Sequence, residues 1–344
     1  LVSETCIWLK IDLWGLQEIR YTPAKVDSAD AVIERHRRDV ARRLPVRPME
    51  SLGEHHPSAD HKRLEPQSPE HATIWGLMVD GIHYIGGCQT RFGPYPFCEV
   101  LDLPSYSVAK SLFAGLGYMH LEQRFPGIGR EQVTDWVHEC MLEDERWTGV
   151  ELAHLLNMTT GLFNSGEYMA DENRITDSDF IQGDSNELKV NFACKQYERR
   201  LEPGQRWNYH SSDSYLAGLL MNRYLHKKPG ASNDPFFDLL LSQFWTPLEL
   251  SAVSEFTRRT YDEEAQPFTG YGLTFHPDDI VRIAKWLNEG AGDLGGKSLR
   301  DTTMFAAAMQ TSARKAIPPL ASQGLDYRYG FWAAEASSWV GCQQ

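Results

Sequence analysis

Apolar residues recur at three- to four-residue spacing in some stretches of the chain and at alternate positions in others, and these two periods divide it into elements. Ala29, Val32, Ile33, His36, Val40 and Leu44 share one face of a helix that Asp27 or Ser28 caps and Pro45 stops. Residues 6–13 before it read as strand. Residues 45–72 show no period, with Pro, His and charge mixed, and read as a long loop, mobile or lying over a cleft. Two apolar, β-branched runs, 73–79 and 82–85, flank Asp80-Gly81, a dipeptide that tolerates positive φ, so a hairpin is expected there, with Gly86 and Gly87 breaking its second strand. Ser107 opens a helix marked by Leu112, Phe113, Leu116, Met119 and Leu121 and ended by Pro126-Gly127. From about 148 to 260 the pattern is mostly helical (150–156, 213–224, 235–244), interrupted by polar loops, notably 165–187. Further helices fall at 277–287, after a loop around Gly270 and Gly272, and at 299–309, and the tail 327–340 reads as strand. Strands at both ends with helices between predict a mixed sheet assembled from both ends and an inserted helical lobe. No internal repeat is present.

Composition narrows the class. The chain has 344 residues, 42% hydrophobic and 24% charged, which fits one large globular domain or two intimate ones and needs no disulfide or metal staple. Disorder, a collagen-like repeat and a disulfide miniprotein are excluded. Thirty-four basic against 47 acidic residues leave a charge of −13, a field that repels phosphate backbones and anionic lipid, so neither nucleic acid nor a membrane is expected as partner. No apolar run reaches the roughly 18 residues of a membrane span. Residues 1–16 contain Glu4, Asp12 and a single basic residue, Lys10, and so lack the basic segment of a secretory leader, although the sequence starts without Met and a cleaved leader or trimmed start stays open. Cys6, Cys88, Cys98, Cys140, Cys194 and Cys342 form no Cys-x-x-Cys pair. They are expected to be buried, reduced thiols of a cytoplasmic protein, with Cys88 and Cys98 close enough to bridge if the chain is exported.

The sharpest chemical signal is Ser107-Val108-Ala109-Lys110 at a helix start. Positions i and i+3 share a face with a rise of only ~4.5 Å, so the Lys110 amine can reach back over the Ser107 hydroxyl. The helix N-terminus adds partial positive charge that favours an alkoxide or oxyanion and lowers the basicity of a neighbouring ammonium. A free lysine, with pKa about 10.4, is handicapped as a base at pH 7 by roughly 4–5 kcal/mol. Burial beside positive charge moves it by about 3–5 units, enough to remove most of that handicap, and Val108, Ala109, Leu112 and Phe113 supply an apolar setting. The competing reading makes Ser107 an N-cap and Lys110 a snorkelling surface residue.

About a hundred residues on, Glu202-Pro203-Gly204-Gln205-Arg206-Trp207-Asn208-Tyr209-His210-Ser211 runs extended from a Pro-Gly turn into a helix capped by Ser211 or Ser212. A tyrosine held there can turn its hydroxyl into a cleft and relay a proton beside an ammonium. Tyr209 alone would equally be an aromatic packing at a lobe boundary.

Together these blocks, with Trp147-Thr148 to Val150, the run His154 to Leu162, Gly272-Leu273-Thr274 to Asp279, and Tyr327-Arg328-Tyr329-Gly330-Phe331-Trp332, resemble the serine hydrolases related to class C β-lactamases and D-alanyl-D-alanine peptidases, in the right order from about residue 73 to 332. Trp207 to Asp213 is similar to the branch containing 6-aminohexanoate-dimer hydrolase and carboxylesterase relatives, in which Ser replaces the Asn usual in β-lactamases. The resemblance implies an α+β, β-lactamase/transpeptidase-like fold: an antiparallel sheet flanked by helices plus a helical lobe. It implies an N-terminal extension at 1–72, an α/β lobe from 73–147 and 265–344, and a helical lobe at 148–264. Ser107 is then the nucleophile, Lys110 the general base and Tyr209 the proton relay. Ser211 and Tyr168, the latter in Phe163-Asn164-Ser165-Gly166-Glu167-Tyr168, contact the substrate, a small ester or amide. No metal and no cofactor is implied. A third motif of that superfamily, Lys-Thr-Gly or a His-x-Gly-like variant on a strand lining the cleft, is not found after Trp332. The expectation is that the sequence lacks a C-terminal part or builds its oxyanion hole differently, and one lost donor costs on the order of 10²–10³ in rate. Alternatives are a D-Ala peptidase or β-lactamase activity, or a catalytically silent homologue that binds a ligand in the same cleft.

Other patterns carry less. Residues 291–298 nearly match a P-loop, but Ala291 replaces the first glycine and a helix precedes it. His55, His56 and His61 lack ligand spacing, His138-Glu139 lacks a zincin's second His, His154 reads as a satisfied histidine on an apolar face, and no Gly-x-Ser-x-Gly elbow occurs.

Overall fold

The computed structural model describes residues 17–60, 62, 65–66, 72–90, 93–289, 293–294, 297–298, 300–310 and 317–334. The expected strand at 6–13, Cys6, Cys342, His61, the tail beyond 334 and half of the P-loop-like stretch lie outside them. The described residues up to Arg42 belong to a unit by themselves. Within it, helix α1 (Ala29–Ala41) follows Ser28, as the spacing predicts, and none of its residues is buried.

In the second unit, residues 43–344, strand β1 (Val46–Pro48) pairs parallel with β3 (Ile82–Gly87), which forms the expected hairpin with β2 (Ile74–Val79). Asp80 and Gly81 turn it at φ of 50° and 80°, both left-handed, the conformation the Asp-Gly pair accepts cheaply. The glycines do not break β3. The Trp75 ring lies across Gly86 and Gly87, where a Cβ would sit 2.6 and 2.7 Å from it. The expected loop after Pro45 is corrected in its first part: β1 and a short helix, Leu52–His55, bury Met49 and Leu52 against Tyr84. Apolar periodicity cannot show so short an edge strand, whose pairing comes from β3.

The main core is helical and centred on the Ser211–His226 helix, most of whose residues are buried. Its middle, residues 215–221, is apolar on every side and must be covered all round. Residues 108–124 form one helix packed on it, wound as a π-helix over Lys110–Gly115. Phe113 stacks on Phe236, ring centroids 5.0 Å apart, which joins this helix to the Pro235–Leu240 helix. The helix Asn186–Lys195 takes up the last two residues of the polar loop read at 165–187, and within that loop residues Thr176–Ile181 form a π-turn. The helix Pro277–Asn288 lies where the pattern places it, and its Asp278 accepts the Leu44 N–H at 2.8 Å.

The mixed sheet expected from both ends is not formed among the described residues. Leu325–Arg328 and Phe331–Ala334 pair only with each other, as a hairpin turned by Tyr329 and Gly330. The cysteines also require a correction: Cys88–Cys98 and Cys140–Cys194 are disulfides, with Cα atoms 6.0 and 4.8 Å apart, so the expectation of reduced thiols and the compartment drawn from it are withdrawn for these four. No described helix is long and apolar enough to cross a membrane.

Candidate active site

Three features hold Ser107 in place. Ser105, two residues before it, is locked to Leu273 in both directions: its N–H donates to the Leu273 carbonyl at 2.8 Å and its hydroxyl accepts the Leu273 N–H at 3.1 Å. Leu103–Pro104 pairs antiparallel with Thr274–Phe275 just beyond. Tyr106 then takes φ of 44°, a left-handed conformation unusual for a bulky residue and characteristic of constrained sites. The turn leaves Ser107 exposed at the head of the helix while Ala109 and Lys110 go inward.

The π-wound stretch is propped from the far side. The Ser111 hydroxyl donates to the Gly330 carbonyl at 2.6 Å, and Gly330 approaches the Lys110 carbonyl so closely that a Cβ would fall 2.2 Å from it. Gly115 meets the Tyr329 carbonyl in the same way. The hairpin tip therefore needs a glycine on each side, and π-winding of this kind recurs at functional sites.

Lys110 is 2% exposed. Its Nζ lies 3.1 Å from Ser107 Oγ, 3.0 Å from Ser211 Oγ and 3.0 Å from the Gly270 carbonyl. It also sits 4.9 Å from the centre of the Tyr209 ring. Four of the five residues read from the sequence thus meet around one amine. Gly270 is delivered by its neighbour: the Thr269 hydroxyl donates to the Ser214 carbonyl at 2.6 Å, tying that loop to the Ser211–His226 helix.

Tyr209 is buried in an aromatic group with Trp207, Tyr327 and Trp332, ring centroids 6.0, 6.4 and 6.1 Å from its own. Tyr168, the fifth residue, joins this wall by stacking on Trp207 at 5.8 Å and does not reach the Lys110 group directly. Half-exposed Tyr168 and Trp332 present the open faces of the wall.

Residues that sequence reasoning missed come from the loop around 164–172. The Asp171 carboxylate accepts the N–H groups of Asn164 and Ser165, each at 3.0 Å, and lies 3.1 Å from His210 Nε2. Asp213 lies 3.5 Å from the other His210 nitrogen. Burial alone would lower the basicity of His210, but the two flanking carboxylates outweigh it and raise its pKa to about 9. Glu172 accepts the Ser211 N–H at 2.7 Å and the Ser211 hydroxyl at 2.8 Å. Two adjacent acids in an aperiodic loop were the only signal of either role.

No protein-family model and no curated protein matches the sequence. Solved structures do resemble it. A provisionally named 6-aminohexanoate-dimer hydrolase from Bacillus anthracis superposes with a TM-score of 0.58 at 15% identity, over 84% of this chain and 73% of that one. An octameric penicillin-binding protein homologue from Pyrococcus abyssi gives 0.52 at 19% identity, over 75% and 60%. A D-stereospecific amidohydrolase from Streptomyces sp. gives 0.50 at 14%, over 73% and 74%. At such identities the likeness shows the fold, which is the α+β, β-lactamase/transpeptidase-like fold expected from the motifs.

Proposed function

We propose that this protein is a serine hydrolase that forms an acyl-enzyme on Ser107 and cleaves an ester or a small linear amide. One observation carries the reading: Lys110 Nζ lies 3.1 Å from Ser107 Oγ while its other two partners are oxygens that can only accept from it. The Gly270 carbonyl has no proton to give, and the Ser211 proton is committed to Glu172. A neutral Lys110 therefore spends both N–H groups on these two and turns its lone pair to the Ser107 proton.

In the first step that proton passes to Nζ as Ser107 Oγ bonds to the substrate carbonyl carbon. The Ser107 N–H, at the helix head, donates to the oxyanion. Lys110, with the Tyr209 hydroxyl as relay, protonates the leaving alcohol or amine as its bond to carbon breaks. Water then adds to the acyl-enzyme, its proton taken by the same pair, and the acid leaves as Ser107 recovers its hydrogen. Tyr168 offers its open face to the substrate. Ser211, standing where β-lactamases usually carry Asn, favours open-chain esters or amides over β-lactams.

A chromogenic short-chain ester tests the reading. Ser107→Ala is expected to lose at least about 10³-fold in rate, and a fluorophosphonate to add its mass to the peptide containing Ser107. Equal, slow hydrolysis by both proteins, or an adduct elsewhere, overturns it. Labelling by a fluorescent penicillin without ester turnover moves the assignment to a D-Ala peptidase or β-lactamase.

A further inference from the structure

Glu172 makes two hydrogen bonds to a single residue. Its Oε1 accepts the Ser211 N–H at 2.7 Å, one of the donors left unpaired at the start of the Ser211–His226 helix, and its Oε2 accepts the Ser211 hydroxyl at 2.8 Å. Ser211 Oγ in turn receives Lys110 Nζ at 3.0 Å, and Nζ faces Ser107 Oγ at 3.1 Å. The four groups form one chain of hydrogen bonds from a carboxylate to the exposed nucleophile. We propose that Glu172 is a positioning residue of this site, acting through Ser211 to aim Lys110 at Ser107. The proposal rests on the hydrolase reading above.

The reason lies in the proton count. A serine hydroxyl has one hydrogen and two lone pairs. With its hydrogen on Glu172, Ser211 can only accept from Lys110, which fixes one N–H of the amine; the Gly270 carbonyl fixes a second. The remaining position of nitrogen then faces Ser107. Without Glu172 the Ser211 hydrogen is free to turn toward Nζ and donate into the lone pair that should receive the Ser107 proton. The carboxylate forms no salt bridge among the described residues, so its negative charge is not spent on a nearer cation. Asp171, the preceding residue, fastens His210 and the start of the loop, which holds the Glu172 backbone in register with Ser211. Two consecutive acids thus grip two consecutive residues where the extended segment enters the helix. A mere helix cap would need only the N–H contact. The second contact, to the hydroxyl that touches the catalytic amine, is what a cap does not explain.

The test is a double-mutant cycle on Glu172→Gln and Ser211→Ala, read by the rate at which a fluorophosphonate labels Ser107 and by kcat and KM on the chromogenic ester, with melting temperatures as the control for folding. Each single change is expected to slow labelling and kcat by ten- to a hundredfold with KM within threefold. The double variant is expected to be no slower than the slower single, because both act on one N–H of Lys110. Losses that multiply in the double variant, or a Glu172→Gln protein labelled at the wild-type rate, overturn the proposal. Glu172→Asp, which keeps the charge but is one methylene too short to span both contacts, is read by the same criteria if the Gln variant does not fold. Wild-type protein left unlabelled at Ser107 sinks the hydrolase reading and this one with it. A labelled wild type with independent losses sinks only the role of Glu172.

Discussion

Lys110 and Lys189 are both buried, at 2% and 0% exposure, and both reach the dipeptide Gly270-Tyr271, yet their surroundings are opposite in kind. Lys110 meets two hydroxyls and one carbonyl, and one of those hydroxyls, Ser107, opens to solvent. Lys189 donates to the Phe180 and Ile181 carbonyls and, at 2.9 Å, to the Tyr271 hydroxyl. The rings of Phe180, Phe268 and Tyr271 surround it at 4.8, 4.4 and 5.7 Å. Its two carbonyl partners end the Thr176–Ile181 turn, where helical N–H donors run out and, of the described backbone donors, only the Gly183 N–H reaches the Phe180 carbonyl, at 3.3 Å, so this amine serves as a buried cap. Burial of a lysine does not by itself make a site. On the proposed hydrolase reading, what separates the two is whether one partner carries a proton that can leave and lies where a substrate can reach it.

Replacing each lysine by methionine, which keeps the length and removes the charge, should pull the two apart. Lys110→Met is expected to lower ester turnover by about 10³-fold or more while the fold is kept, since a positioned general base contributes on the order of 10²–10⁴. Initial rates beside a melting curve decide it, and a loss below tenfold would place Lys110 in the same class as Lys189. For Lys189→Met turnover should stay within about threefold and the effect should appear in stability. Burial, with Arg258 nearby, lowers the Lys189 pKa to about 7 from the ordinary 10.5. The folded chain therefore releases this proton near pH 7 while the unfolded chain holds it to about 10.5, and the contribution of this group to stability rises with pH between those values. The variant has no such term. Its stability relative to wild type should be highest at pH 6 and fall by roughly 2–3 kcal/mol at pH 9. His210, whose raised pKa gives stability below the ordinary histidine range that is lost as pH rises through about 9, is common to both proteins and cancels in the difference. Denaturant melts at the two pH values test this, and a constant gap would mean that the aromatic box holds an ordinary ammonium.

The Lys110 group was largely legible in the sequence because its members announce themselves locally. Ser107 and Lys110 are one helical turn apart, and Tyr209 and Ser211 stand at a Pro-Gly turn running into a helix start. The hairpin at Asp80-Gly81 was legible for the same reason, a backbone conformation that few residue pairs tolerate. What stayed hidden depends on partners far along the chain. Glu172 sits in a loop without period, and its partner lies 39 residues on. The Cys140–Cys194 bridge spans 54 residues with no pattern at either end. Strand β1 is three residues long and exists because β3 offers it an edge. The Lys189 box draws its rings from residues 180, 268 and 271, which no spacing rule connects.

The dipeptide that links the two lysines gives the finest test of the comparison. The Gly270 carbonyl is the one backbone group among the described residues that accepts from the Lys110 amine, and a Cβ added at Gly270 would lie 3.6 Å from Nζ, 3.3 Å from the Ser214 Cβ and 3.4 Å from the Ser211 carbonyl. None of these is a prohibitive clash, and Gly270 is not among the glycines with positive φ, so alanine can be built with a shift of a few tenths of an ångström. That shift falls on the carbonyl that fixes one N–H of Lys110, while Tyr271 and its hydrogen bond to Lys189 lie on the other side of the peptide. Gly270→Ala is therefore expected to lower kcat about tenfold, roughly 1.4 kcal/mol in the barrier, with KM and the pH dependence of stability close to wild type. A tenfold loss confined to kcat would show that the aim of the amine, and not its mere presence, limits the rate. An unchanged kcat would mean that the Gly270 carbonyl is a bystander and that Ser211 alone orients Lys110.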